Sequence, residues 1–231
     1  MTEPNTEGAL PLDTYSPSVD RPCFGGSTLT LAGAAPALAE TDGLWHMNEL
    51  SGKMVDSSGA GNHGAVENIK RVSPGYTGSG RAYRFNGSSS RVVIDNEANL
   101  NPGVRSIRIS ARVKFSSRPS DAIGDYDLVR KGGGVYKMEI LRSGQAFCDF
   151  NGTDGGLSLQ AGPDLSDGRW HTIVCRKTST GITLIVDGSS SSKGGSVGSI
   201  SNRGPLILGG KPSSSGDWYD GDMDEVRIKI A

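Results

Sequence analysis

The sequence predicts an all-β protein built as a sandwich of two antiparallel sheets. Two observations predict it. Gly accounts for 34 of 231 residues, about twice the usual share of roughly 7%, and the glycines are scattered between short apolar runs without a collagen-like period. The stretch Ser106–Phe115 alternates strictly: Ile107, Ile109, Ala111, Val113 and Phe115 fall on one face, and Ser106, Arg108, Ser110, Arg112 and Lys114 on the other. Side chains of period two belong to a strand. One apolar face and one polar face belong to an antiparallel sheet that is wet on one side.

Further strands are expected at Leu44–Met47, Ala82–Asn86, Arg91–Asp95, Leu128–Lys131, Val135–Leu141 and Gln145–Asn151. Beyond them come Trp170–Lys177, Ile182–Asp187, Leu206–Gly209 and Met223–Ile230. Turn chemistry separates these runs: Phe85-Asn-Gly87, Arg142-Ser-Gly144, Asp187-Gly188 and the Ser/Gly tract Gly188–Ser199. No segment sustains a helical period, and nothing repeats at 20 to 50 residues. Many short strands punctuated by Gly and Asp-Gly make a sandwich.

Residues 1–39 differ in character from residues 40–231, which form the expected domain. The leader carries Glu3, Glu7, Asp13 and Asp20 against Arg21 alone. Its stretch Gly25–Ala39 has the apolar core of a secretory signal, ending in the small-x-small pattern Ala37-Leu38-Ala39. The acidic residues before it do not suit a signal n-region. Two readings follow: a signal peptide whose translation starts downstream near Val19, or an N-terminal arm of the mature protein. Cys23 leaves with the leader in the first reading, which removes an odd thiol. The net charge of −1 argues against a nucleic-acid binder that works by neutralising phosphates. No run approaches the ~18 apolar residues of a membrane span.

Three strand-and-turn units carry a family signature: Asp56-Ser-Ser-Gly-Ala-Gly-Asn-His-Gly64, Asp167-Gly-Arg-Trp-His-Thr-Ile-Val174 and Gly221-Asp-Met-Asp-Glu-Val-Arg-Ile228. In order and spacing they resemble the laminin G-like jelly roll of the concanavalin A-like lectin/glucanase superfamily, from about Leu44 to Ile230. The resemblance implies that Cys148 and Cys175 lie on neighbouring strands of one sheet and are bridged, closing a loop of about 27 residues worth roughly 3 kcal/mol. Two buried free thiols are the alternative. The fold is shared by lectins, adhesion modules, hydrolases and lyases, so it does not name a function.

Asp224 alternates onto the face of Val226, Ile228 and Ile230, where a carboxylate must be paired or bind a metal. The resemblance implies a structural Ca²⁺ held by Asp224, the carbonyl of Gly87, and Asn48 or Glu49, hard oxygen ligands from distant segments. The alternative is that Asp224 accepts hydrogen bonds from turn amides, or pairs with Arg84. Asp56 is expected to bond amides of its own turn, with His63 packed there. Trp170 and His171 face opposite ways, and no partner for a catalytic His171 is visible.

For ligand binding, the loop Gly216-Asp-Trp-Tyr-Asp220 offers Trp218 and Tyr219 beside Asp217 and Asp220, an aromatic surface with acceptors for a sugar. Alternatively Trp218 or Tyr219 plugs the edge of the sandwich. The loop Gly124-Asp-Tyr-Asp127 is a second candidate. No Glu-x-Asp-x-x-Glu run of the superfamily's hydrolases is present, nor Gly-x-Ser-x-Gly, His-Glu-x-x-His, a P-loop or Cys-x-x-Cys. The expectation is a secreted, non-catalytic module that binds a polysaccharide, a glycoconjugate or a protein. A virion or cell-surface structural protein docked by its N-terminal arm is a second class, and a small polysaccharide lyase or hydrolase a third.

Overall fold

A computed structural model describes residues 42–120, 124–212 and 216–231. Both readings of the leader, and Cys23, lie outside the described residues. The strands run in the order β1 (Gly43–Trp45), β2 (Gly64–Glu67), β3 (Lys70–Val72), β4 (Ala82–Asn86), β5 (Arg91–Ile94), β6 (Ile107–Lys114), β7 (Tyr126–Lys131) and β8 (Tyr136–Ile140). Then follow β9 (Ala146–Gly152), β10 (Gly155–Ala161), β11 (His171–Lys177), β12 (Gly181–Val186), β13 (Ser189–Gly194), β14 (Leu206–Leu208) and β15 (Asp220–Ile230). A single 3-10 turn, Ala98–Leu100, interrupts them among the described residues.

Eight strands form one sheet, in the order β13-β12-β11-β6-β15-β4-β3, with β1 also paired to β15. Seven form the other, β10-β9-β8-β7-β14-β5-β2. Every pairing between these strands is antiparallel. The alternation of β6 appears as expected: Ile107, Ile109, Ala111 and Val113 are buried, while Arg108 is exposed and Ser110, Arg112 and Lys114 are half-buried. The core between the sheets gathers an aromatic knot of Phe85, Phe115, Tyr126 and Tyr219, with ring centroids 5.5–6.2 Å apart. Tilted and edge-on rings at such spacings add to the area they bury.

Four strands add to those expected from the sequence, namely β2, β3, β10 and β13. They are the terminal strands of the two sheet orders. All six residues of β13, Ser189–Gly194, are exposed, and the Ser/Gly tract expected to be a turn is in part this strand. Its register comes from the two-residue turn Asp187-Gly188, both at positive φ (48° and 86°). Two positive φ values make the hairpin turn whose twist matches the strands.

The bridge expected between Cys148 and Cys175 is formed, with Cα atoms 5.7 Å apart. Its placement corrects the expectation: β9 and β11 belong to different sheets. The bond therefore staples the two layers together. Alternation also sends two lysines inward. Lys177 Nζ donates to the carbonyls of Val104, Arg105 and Gly198 at 3.2–3.3 Å. Lys131 Nζ meets Asn96 Oδ1 at 2.6 Å and the Gly204 carbonyl, and burial pushes its pKa down to about 8.

Candidate functional site

The outer face of the eight-stranded sheet brings together the groups that can hold a ligand. Across β11, β6, β15 and β1 the register places Val174 opposite Ser110, Ser110 opposite Arg227, and Arg227 opposite Leu44. Val174 and Leu44 make an apolar floor, and Val174 is 3% exposed. A hollow of about 630 Å³ lies here, and Tyr76, His46, Glu225, Arg112 and Arg108 are among its lining residues. Tyr76 stands edge-on to Trp170, with centroids 5.9 Å apart. The Arg112 guanidinium lies 4.7 Å from the Tyr76 ring centre, and Lys114 Nζ lies 5.2 Å from that of Trp170. Cations over aromatic rings hold both partners in place.

Asp224 holds this arrangement from below. A bulge between Asp224 and Arg227 breaks the register of β15 on β6, and Glu225 within it has φ +48°. The extra residue lets Met223 and Val226 both enter the core and turns Asp224 outward, opposite Arg112. This corrects the expected burial of Asp224 beside Val226, Ile228 and Ile230: a bulge resets alternation. Asp224 Oδ2 accepts from the Tyr76 amide at 2.8 Å, and Oδ1 from the Glu225 amide at 2.8 Å. Burial raises its pKa, against the two amides. A side chain on Gly75 would press on the Arg81 carbonyl (2.5 Å) and on Asp224 Oδ2 (2.8 Å), so only Gly lets the Tyr76 turn settle on the sheet. Glu225 reaches back to His46 Nδ1 at 2.8 Å.

The expected calcium ligands are not gathered around one point. Tyr83 pairs with Met223 and Asn86 with Asp220, so Gly87 lies beside Tyr219, five positions along β15 from Asp224, or about 16 Å at ~3.3 Å per residue. Asn48 Oδ1 accepts from the Arg81 amide. Glu49 accepts from the Val55 amide and the Tyr83 hydroxyl. Arg84 pairs not with Asp224 but with Asp222, at 2.6 and 2.9 Å, and Lys114 adds a third contact at 3.1 Å. These residues do not fit the metal.

The expected sugar-stacking loop is turned inward. Trp218 is 9% exposed and Tyr219 is fully buried. The Tyr219 hydroxyl donates to the Asp222 or Lys114 carbonyl. A side chain on Gly210 would strike the Trp218 ring at 2.8 Å. Apolar area outweighed exposure, and the two rings plug the sandwich edge. Asp220 stays exposed at the strand start. Asp217 meets Asp127 and Glu139, the three carboxylates lying within 4.8 Å of one another, so the two candidate loops converge. Each acid already has a cation: Arg130 at 3.0 Å from Asp127, Lys137 at 2.8 Å from Glu139, and Lys211 at 2.5 Å from Asp217.

Asp56 behaves as expected. Its carboxylate accepts from the amides of Leu44, Ser58 and Asn62 at 2.9 Å each. These bonds and the Ser58 side chain overcome burial and hold its pKa below the usual value. His63 Nδ1 accepts from the Asp56 amide. Trp170 and His171 do face opposite ways. His171 has partners that the sequence reading missed: Asp187 at 2.7 Å on Nδ1 and Asp167 at 2.9 Å on Nε2. Both nitrogens are occupied, so no ring position remains to take a proton from a substrate. Asp187 comes from the β12–β13 turn, which no spacing rule connects to His171.

A family profile described as the concanavalin A-like lectin/glucanases superfamily, laminin G type, matches residues 86–229. The chain belongs to this family. No curated protein sequence matches it. Among solved structures it is similar to the binding domain of Paraclostridial Mosquitocidal Protein 1, at 19% identity and a TM-score of 0.64, covering 81% of this chain and 49% of that one. It is also similar to a structure of botulinum neurotoxin type C whose cell entry depends on two ganglioside molecules, at 13% identity and a TM-score of 0.62, covering 82% and 47%. A third is the binding domain of botulinum neurotoxin DC in complex with rat synaptotagmin II, at 11% identity and a TM-score of 0.63, covering 82% and 48%. The chain spans about half the length of each neighbour, and the likeness is one of fold.

Proposed function

We propose that this chain is a non-catalytic binding module that takes a glycan or glycoconjugate on the outer face of the eight-stranded sheet. The observation that carries this reading is the hollow of about 630 Å³ between Tyr76 and the β6–β15 surface. It combines an apolar floor at Leu44 and Val174, the Tyr76 ring with Trp170 edge-on beside it, and hydrogen-bonding groups on His46, Ser110, Thr172 and Glu225. A sugar needs both: rings to cover its C–H face and polar groups to meet its hydroxyls. That structural neighbours include a neurotoxin dependent on gangliosides and one bound to a protein receptor supports a binding role. The inter-sheet disulfide supports an oxidising, extracellular setting.

A glycan array with purified protein tests the reading. Tyr76→Ala and Trp170→Ala should each weaken the best ligand about tenfold, with melting nearly unchanged, and no shortened or unsaturated product should form on incubation. Unchanged affinity in both variants would sink the assignment of this face.

A further inference from the structure

One row of the same face is built against its own stability. Arg176 of β11 stands opposite Arg108 of β6, and Arg108 opposite Lys229 of β15. These are cross-strand neighbours, one cation per strand at about 4.8 Å spacing. Like charges directly opposite each other destabilise a sheet. Arg108 and Arg176 are exposed and Lys229 is half-buried. None of the three has a carboxylate within ion-pair distance among the described residues. On the same face Arg84 and Lys114 are, by contrast, neutralised by Asp222.

Arg108 of this row also borders three hollows of the outer face. Arg108 lines the large hollow beside Tyr76, a second of about 250 Å³ with Arg176 and Lys229, and a third of about 160 Å³ with Arg227 and Lys229. A further cation, Arg112, directs its guanidinium over Tyr76, and its buried Nε has no hydrogen-bond partner among the described residues. The face thus sets a cluster of cations, bordered by Ser106, Ile107, Ser110 and Ala231, next to the aromatic hollow beside Tyr76.

We propose that Arg176, Arg108 and Lys229 form an anion-reading subsite for sulfate or carboxylate groups on an acidic polysaccharide. The inference rests on the glycan reading above and names the ligand's charge class. A strand spacing of about 4.8 Å matches the step of one pyranose ring, so successive acidic sugars running across the strands meet successive cations. Ligand sulfates or uronates then supply the counter-charges that the fold omits. Arg suits this role because its planar fork binds such oxyanions bidentately. A sugar polymer is favoured over a nucleic acid because the row adjoins, through Arg108, the hollow beside Tyr76 to which the glycan reading assigns sugar rings.

The test compares binding of a sulfated heparin oligosaccharide, a polyuronate, neutral dextran and single-stranded DNA of equal charge, using wild type, Arg176→Gln, Arg108→Gln and Lys229→Gln. The sulfated or uronate probe should bind, weaken with added salt, and lose about tenfold in affinity with each substitution. Melting should stay level or rise in the variants, since a repulsion is removed. A purely structural role predicts the reverse, a fall in melting temperature. Unchanged affinity for acidic probes in all three variants overturns the subsite, as does DNA binding as tightly as the glycan. If dextran or neutral arrays bind while acidic probes do not, this inference fails and the glycan reading stands. If no glycan binds at all, both fail.

Discussion

Cys148 in β9 and Cys175 in β11 tie the seven-stranded sheet to the eight-stranded one, with Cα atoms 5.7 Å apart. Packed sheets ordinarily lie about 10 Å apart, so the two layers converge at this edge. There β10 also contacts β12 and β13. The bond closes the sandwich at the side away from Trp218 and β4.

Removing that staple should therefore loosen a layer contact as well as lengthen the unfolded chain. The bridge spans 27 residues, which corresponds to roughly 3 kcal/mol of lost loop entropy. Cys148→Ser with Cys175→Ser should lower unfolding free energy by about 2–4 kcal/mol in a urea titration. Equal stability of the oxidised and doubly substituted proteins would show that the bond carries no load.

His171 predicts a pH dependence. Burial opposes its charge, but hydrogen bonds to Asp187 and Asp167 outweigh that and raise its pKa above 6.5. A raised folded pKa means that the stabilisation is complete below the unfolded value and fades as pH rises through the folded one. Melting temperature should thus decline with rising pH from near 6.5 upward in wild type, and His171→Gln should flatten this decline. A parallel decline in both proteins would assign it to other groups.

Trp218 and Tyr219 should report on stability and not on binding. Trp218→Ala empties a site that is 9% exposed and should cost about 3–5 kcal/mol. Tyr219→Phe leaves the Asp222 and Lys114 carbonyls without their hydroxyl donor, at about 1 kcal/mol. Glycan affinity of the folded fraction should match wild type for both. Weaker binding by a Trp218→Ala protein that melts normally would restore the loop as a ligand surface.

Asp224→Ala removes acceptors for the Tyr76 and Glu225 amides and should destabilise by roughly 2 kcal/mol. It should also weaken glycan binding, because the Tyr76 turn loses its anchor. The expected calcium can be tested in the same titration. An effect of EDTA on wild-type melting that vanishes in Asp224→Ala would return the metal to Asp224. An effect that persists in the variant would place it elsewhere.

Much of the architecture was legible in residues 40–231. Interior strands such as β6 and β11 are buried on one face, so hydrophobic selection writes period two into them. The terminal strands β2, β3, β10 and β13 left a weaker trace, because they bury little: Val66 of β2 and Leu157, Leu159 and Ala161 of β10 are only partly buried against the core, and β13 is wholly exposed. Asp56 was legible for a local reason: an Asx turn needs only the amides of its own segment.

What the sequence by itself determined is the class of the fold, its long central strands and its turns; the pairing of the two cysteines was implied only by the family resemblance. Only the tertiary structure decided which sheet each cysteine joins, that Asp224 faces outward, and that Trp218 is sealed. It also assembled the row Arg176–Arg108–Lys229 from three strands far apart in the chain. The physical reason is common to all of these. Alternation reports the face of one strand up to its first bulge, and the single extra residue at Glu225 inverts that phase without a sequence signature. Cross-strand neighbours follow from register, which is set by packing across the whole sandwich and not by any one segment.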